Sequence, residues 1–133
     1  MPKQTVNHTT HNKMREFPRR ELIQLTVAAF QAGLKDIQRE WPADGLWDET
    51  ANRWHWFDLA GQHNDNLILF DFEPGYWNSR PTKPELERSQ QKKTWAELNK
   101  TPLMVVEHGH TTLELTILIR KFLMEIKNEQ DNI

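Results

Sequence analysis

Two short segments decide the fold: Trp54-His55-Trp56-Phe57-Asp58-Leu59 and Leu67-Ile68-Leu69-Phe70-Asp71-Phe72-Glu73. Both are dense in aromatic and branched residues and too short for a stable buried helix, which favours β-strands. Alternation puts Trp54, Trp56 and Asp58 on one face of the first, and His55, Phe57 and Leu59 on the other. In the second, Leu67, Leu69, Asp71 and Glu73 share a face opposite Ile68, Phe70 and Phe72. Gly61 to Asn66 between them is turn chemistry, so an antiparallel hairpin with a loop of about six residues is expected.

Upstream, Pro18 to Trp41 reads as one helix. Ile23, Val27, Phe30, Leu34, Ile37 and Trp41 recur at spacings of four and three, placing them on one stripe, and Pro42 stops it. The stripe is expected to pack on the sheet; the same spacing would serve as a homodimer seam through helix 18–41. Pro42-Ala43-Asp44-Gly45 reads as a turn and Trp47 as part of a short connection. Residues 1–16 lack periodicity and are expected to form a flexible tail, leaving 17–133 as a single domain. His8 and His11 in that tail have no core to fix them as a metal site.

Downstream, Thr82 and Glu85 form a capping box for a weakly amphipathic helix over 83–99, continuous or broken near Gln90. Leu103 to His108 reads as a strand. Thr111 and Glu114 form a second box, opening a final helix to about Asn128. The fold class is therefore α+β (or α/β): a small mixed sheet of about three to four strands, packed against two long helices and one weaker one. The helical crossover makes 67–73 and 103–108 parallel neighbours, with their carboxyl ends on one edge.

The composition narrows the function. The chain has 133 residues, a net charge of -2, 27% charged residues and no cysteine. One domain is expected, thiol and disulfide chemistry is excluded, and no whole-protein basic field gathers nucleic acid or membrane. Met1 to His8 has no apolar leader segment, and Leu113 to Ile126 is too short and too charged to span a bilayer. A cytoplasmic protein is expected.

The shared edge gathers Asp71, Glu73, Glu107, His108 and His110; Asp58 either sits at the opposite edge or is brought in by hairpin register, which spacing does not fix. Asp71 and Glu73, two apart on a strand, suit Mg²⁺ or Mn²⁺, with Asp58 or His108 assisting catalysis. This order of elements, with Asp58 and Asp71-Phe72-Glu73, resembles the core of the PD-(D/E)xK nucleases over about half the chain. The resemblance implies metal-dependent phosphodiester hydrolysis. Two departures stand out: Glu73 occupies the family's lysine position, and no proline precedes Asp58.

His108, His110, Thr111 and Thr112 surround a strand–glycine–helix turn whose backbone N–H groups suit an anion. Arg80, Lys83, Arg88, Lys92 and Lys93, near Tyr76, Trp77 and Trp95, could grip a single nucleic-acid strand, although Glu85, Glu87 and Glu97 interleave them. Trp47, Tyr76, Trp77 and Trp95 are candidates for a protein-binding surface. With no Ser-His-Asp or lysine nucleophile arrangement, the expected function is a small accessory, inhibitor or immunity-like module that binds another protein, without catalysis or cofactor. A metal-dependent nuclease or phosphodiesterase is the alternative, and single-stranded nucleic-acid binding a second.

Overall fold

The computed structural model describes residues 16–48, 53–75 and 80–131. The tail expected over 1–16 lies outside them except for Glu16, as do Tyr76 and Trp77. The elements are α1 (Glu16–Gln31), β1 (Lys35–Asp48), β2 (Arg53–His63), β3 (Asn66–Phe72), α2 (Lys83–Leu98), β4 (Leu103–Val106) and α3 (Thr112–Asp131). The strands form one four-stranded mixed sheet in the order β1-β2-β3-β4. β1, β2 and β3 pair antiparallel, and β4 pairs parallel to β3. The α+β class and the parallel crossover partner follow the sequence reading.

The helix expected over 18–41 ends ten residues early. Gly33 adopts φ 100°, where a side chain is strained, and lets Gly33 N–H reach Phe30 O and Leu34 N–H reach Ala29 O. Leu34 enters the core, and Ile37 and Trp41 belong to β1 rather than to a helical stripe. The face of α1 is reversed too. Leu25, Ala28 and Ala29 are buried, while Ile23, Val27 and Phe30 point outward. Small alanines let the helix approach the sheet closely, so the larger residues were left outside.

The expected turn at 42–45 is a kink within β1: its register against β2 shifts between Pro42 and Trp47, and Gly45 has φ 85°. β1 is an edge strand, where proline costs no ladder partner on its open side. The hairpin loop is also tighter than expected. β2 runs to His63, which faces Asn66, leaving Asn64 and Asp65 as a two-residue turn with φ 51° and 65°. Asn and Asp tolerate this conformation best among non-glycine residues. α2 is one continuous helix, and both expected capping boxes form. The Thr82 hydroxyl accepts from Glu85 N–H while Glu85 accepts from Thr82 N–H; Thr111 and Glu114 repeat the exchange.

Two cores flank the sheet. Ile68 and Phe70 of β3 pack with Leu25, Ala28 and Ala29 of α1 and Leu115, Ile119 and Leu123 of α3. On the other face Leu69 joins Phe57, Ala60 and Ala43, with Trp41 and Trp95 of α2 packed against them. Phe57 and Phe70 are fully buried, each contributing on the order of 1.5–3 kcal/mol.

Gly61 allows Leu34 to close the first core. A Cβ there would lie 2.7 Å from Leu34 Cδ2 and 3.2 Å from Leu34 Cβ. Gly61→Ala is therefore expected to destabilise the fold by about 1–3 kcal/mol in urea denaturation. In a Leu34→Ala background the same change should cost about 1 kcal/mol less; equal costs in both backgrounds would contradict the contact.

Candidate active site at the strand ends

The sheet forks where β2 leaves β3. Their ladder ends at Leu59 opposite Phe70, whereas β2 stays paired with β1 as far as Arg53 and β3 stays paired with β4 as far as Phe72. At the fork, two carboxylates replace the missing backbone partners. Asp58 N–H donates to Asp71 Oδ1 at 3.1 Å, and Phe72 N–H donates to Asp58 Oδ2 at 2.9 Å. The hairpin thus brings Asp58 and Asp71 together.

A cation completes the cluster. Lys92 Nζ of α2 lies 3.1 Å and 3.3 Å from the two Asp71 oxygens, and stands 5.9 Å from the Phe57 ring centroid. Asp71 is only 7% exposed. Burial pushes its carboxyl up to about 7, the Asp58 charge adds to the rise, and Lys92 opposes both. Burial thus favours the protonated form of Asp71 well above the usual carboxylate range. Among the described residues, no three His, Asp or Glu side chains converge as a metal-ligand group.

Glu73 and His108 belong to a second cluster at the same strand ends, on the other face of the sheet. The His108 ring stacks on Phe72, 5.4 Å between centroids and 9° from parallel. Its Nδ1 lies 2.9 Å from Glu21 Oε1 of α1, and its Nε2 lies 3.0 Å from the Glu73 carbonyl oxygen. A carbonyl can only accept and an ionised carboxylate only accepts, so both ring nitrogens must donate. The contacts therefore favour the protonated ring. Burial by itself would lower its pKa, but the Glu21 hydrogen bond and charge, aided by Glu73, raise it above the usual histidine value.

The turn expected to bind an anion spends its donors on the chain's own carboxylates. His108 N–H donates to Glu73 Oε1, Gly109 N–H to Glu21 Oε2 and Thr111 N–H to Glu114 Oε1. His110 sits 3.8 Å from both Glu107 and Glu114. Thr112 opens α3, its carbonyl accepting from the Thr116 hydroxyl.

Of the proposed binding aromatics, Trp95 turns inward. Its indole N–H donates to Asp44 O at 2.8 Å, and its ring meets Trp41 and Phe57 with centroids 5.9 Å and 5.6 Å away. The backbone of Trp47 lies in β1. Of the basic residues, Lys92 is directed into the fork, while Arg80, Lys83 and Lys93 are exposed.

Sequence reasoning grouped Lys92 with the basic residues of a nucleic-acid grip and passed over Glu21. A signal for Lys92 existed: it lies three and four residues before Trp95 and Ala96, on the stripe of α2 that faces the sheet. Glu21 similarly precedes Leu25 by one turn. The chain matches no family model, and no curated protein matches it in sequence.

The His108 clasp has a pH signature. A histidine whose folded pKa is raised stabilises fully below its unfolded value of about 6.5, and the contribution is lost as pH rises through the folded value. His108→Gln should cost about 1–2 kcal/mol near pH 6 and progressively less on the alkaline side. Urea denaturation across that range measures it; a cost independent of pH would show that the ring is neutral throughout.

Proposed function

We propose that this chain is a divalent-metal-dependent phosphodiester hydrolase, with its active centre at the fork between β2 and β3. One observation carries the reading: Asp58, Asp71 and Lys92 are joined in a single hydrogen-bonded cluster at the strand ends. The resemblance to PD-(D/E)xK nucleases supports it through the order of elements and through Asp58 and Asp71. The family's lysine position holds Glu73 here, engaged with the His108 turn. Lys92 brings an ammonium group to the same carboxylate from α2.

The residues fit a hard cation. A half-buried carboxylate pair, only partly neutralised by one lysine, is an oxygen-ligand set with excess negative charge. Mg²⁺ commonly binds through one or two carboxylates and completes its shell with waters and phosphate oxygens. Asp58 and Asp71 would hold the ion, which supplies charge neutralisation and a lowered pKa for a bound water. Lys92 then offers its charge to the phosphate oxygens as negative charge builds on them. The strands fix both aspartates, and exposed Arg80, Lys83 and Lys93 at α2 offer charges for a nucleic-acid backbone.

The non-catalytic binding module is a second reading. It draws on the apolar outer face of α1 and α3, where Phe30 and Leu113 are 73% and 68% exposed.

Calorimetric titration with Mn²⁺ and cleavage of labelled DNA separate the two. The hydrolase reading predicts binding that strengthens from about pH 6 to about pH 8 as Asp71 gives up its proton. Asp71→Asn should abolish it. Lys92→Met should keep Mn²⁺ binding yet lower cleavage by about 100-fold or more. Absence of both Mn²⁺ binding and cleavage would overturn the hydrolase and leave the binding module.

A further inference from the structure

Lys92 closes on both oxygens of Asp71, at 3.1 Å from Oδ2 and 3.3 Å from Oδ1. The Lys92 side chain is 16% exposed and that of Asp71 10%, so little water reaches the contact. The backbone uses part of what the carboxylates have left. Asp71 Oδ1 also accepts from Asp58 N–H, and Asp58 Oδ2 accepts from Phe72 N–H. The ammonium therefore already does at Asp71 what a bound cation would do. A divalent ion sharing Asp71 with it would set two positive centres side by side on one carboxylate. In a site this poorly hydrated, such a pair repels far more strongly than in water. Nor does α2 offer the ammonium a second anion. Its neighbours one turn away are Arg88 and Ser89 on one side and Trp95 and Ala96 on the other, none of them acidic. The Phe57 ring, 5.9 Å from Nζ, is a far weaker partner than a carboxylate.

We infer that Lys92 is an exchangeable counter-ion, which leaves Asp71 when a divalent ion binds the two aspartates and is then captured by a phosphodiester oxygen. The inference rests on the hydrolase reading, since a divalent ion at Asp58 and Asp71 is what drives the exchange. It goes beyond that reading in making Lys92 the link between the two ligands. Metal binding alone has to break the Lys92–Asp71 pair and leaves the ammonium with water only. A phosphodiester alone meets an ammonium already engaged with a carboxylate. Bound together, each ligand relieves the other of that cost, so each tightens the other by the same factor. A lysine on α2 suits the exchange, because its flexible stem can turn while the strands keep both aspartates fixed.

Amine acylation of the full chain, followed at each lysine by mass spectrometry, tests the exchange. Without metal, Lys92 should react several-fold more slowly than the exposed Lys83 and Lys93. Saturating Mn²⁺ should raise the Lys92 rate several-fold and leave the other two unchanged. Adding a hydrolysis-resistant phosphorothioate dinucleotide should slow Lys92 again. In Asp71→Asn, Lys92 should react fast from the start and ignore Mn²⁺. Calorimetry reads the coupling: the dinucleotide should tighten Mn²⁺ binding by about tenfold in the unaltered chain and by clearly less in Lys92→Met. Mn²⁺ binding that leaves the Lys92 rate unchanged would overturn the inference while the hydrolase reading stands, and so would equal tightening in the two chains. Absence of Mn²⁺ binding would overturn the hydrolase reading and this inference with it.

Discussion

β3 is held from four sides, and the rest of the molecule depends on that confinement. β2 and β4 pair with its two edges, while Ile68 and Phe70 enter one core and Leu69 enters the other. A strand buried on both faces cannot slip by one residue without exchanging its two sets of side chains. Its register is therefore set by packing, and with it the position of everything beyond Phe70. Asp71 emerges where the strand is still fixed but β2 has begun to leave it. The carboxylate is consequently placed with the precision of a core residue, although it is polar.

That placement is costly. A buried carboxylate beside a second one is disfavoured, as the rise of Asp71 to about 7 records, and Lys92 offsets only part of it. Across the sheet, Glu21 and Glu73 close on His108 and Gly109 and fasten α1 to the ends of β3 and β4. Both clusters set two carboxylates against one basic group. The fork differs in that Asp71 is buried and its charged form disfavoured, and a perturbed carboxylate at a strand end marks a candidate functional site.

Much of this was legible in the residues. The strands at 54–59 and 67–73, the two capping boxes and the parallel crossover follow from composition, cap chemistry and chain handedness, which are local rules. β1 was hidden because Leu34, Ile37 and Trp41 continue the helical spacing by coincidence past Gly33, whose backbone conformation ends the helix. The direction of α1 was misread because periodicity ranks large residues above small ones, whereas Ala28 and Ala29 gave the closer fit to the sheet. The meeting of Asp58 with Asp71 depended on hairpin register, and that of Lys92 and Glu21 with their partners on tertiary packing. Neither can be extracted from spacing alone. No helix among the described residues is long and apolar enough to cross a membrane, in line with the charges noted along 113–126.

The central claim is that the fork between β2 and β3 is a cation site. Anomalous diffraction from crystals soaked in Mn²⁺ tests it most directly. A peak between the carboxylates of Asp58 and Asp71, absent in Asp71→Asn crystals, is the predicted result. A fork without a peak, with Lys92 still closed on Asp71 at saturating Mn²⁺, would contradict it.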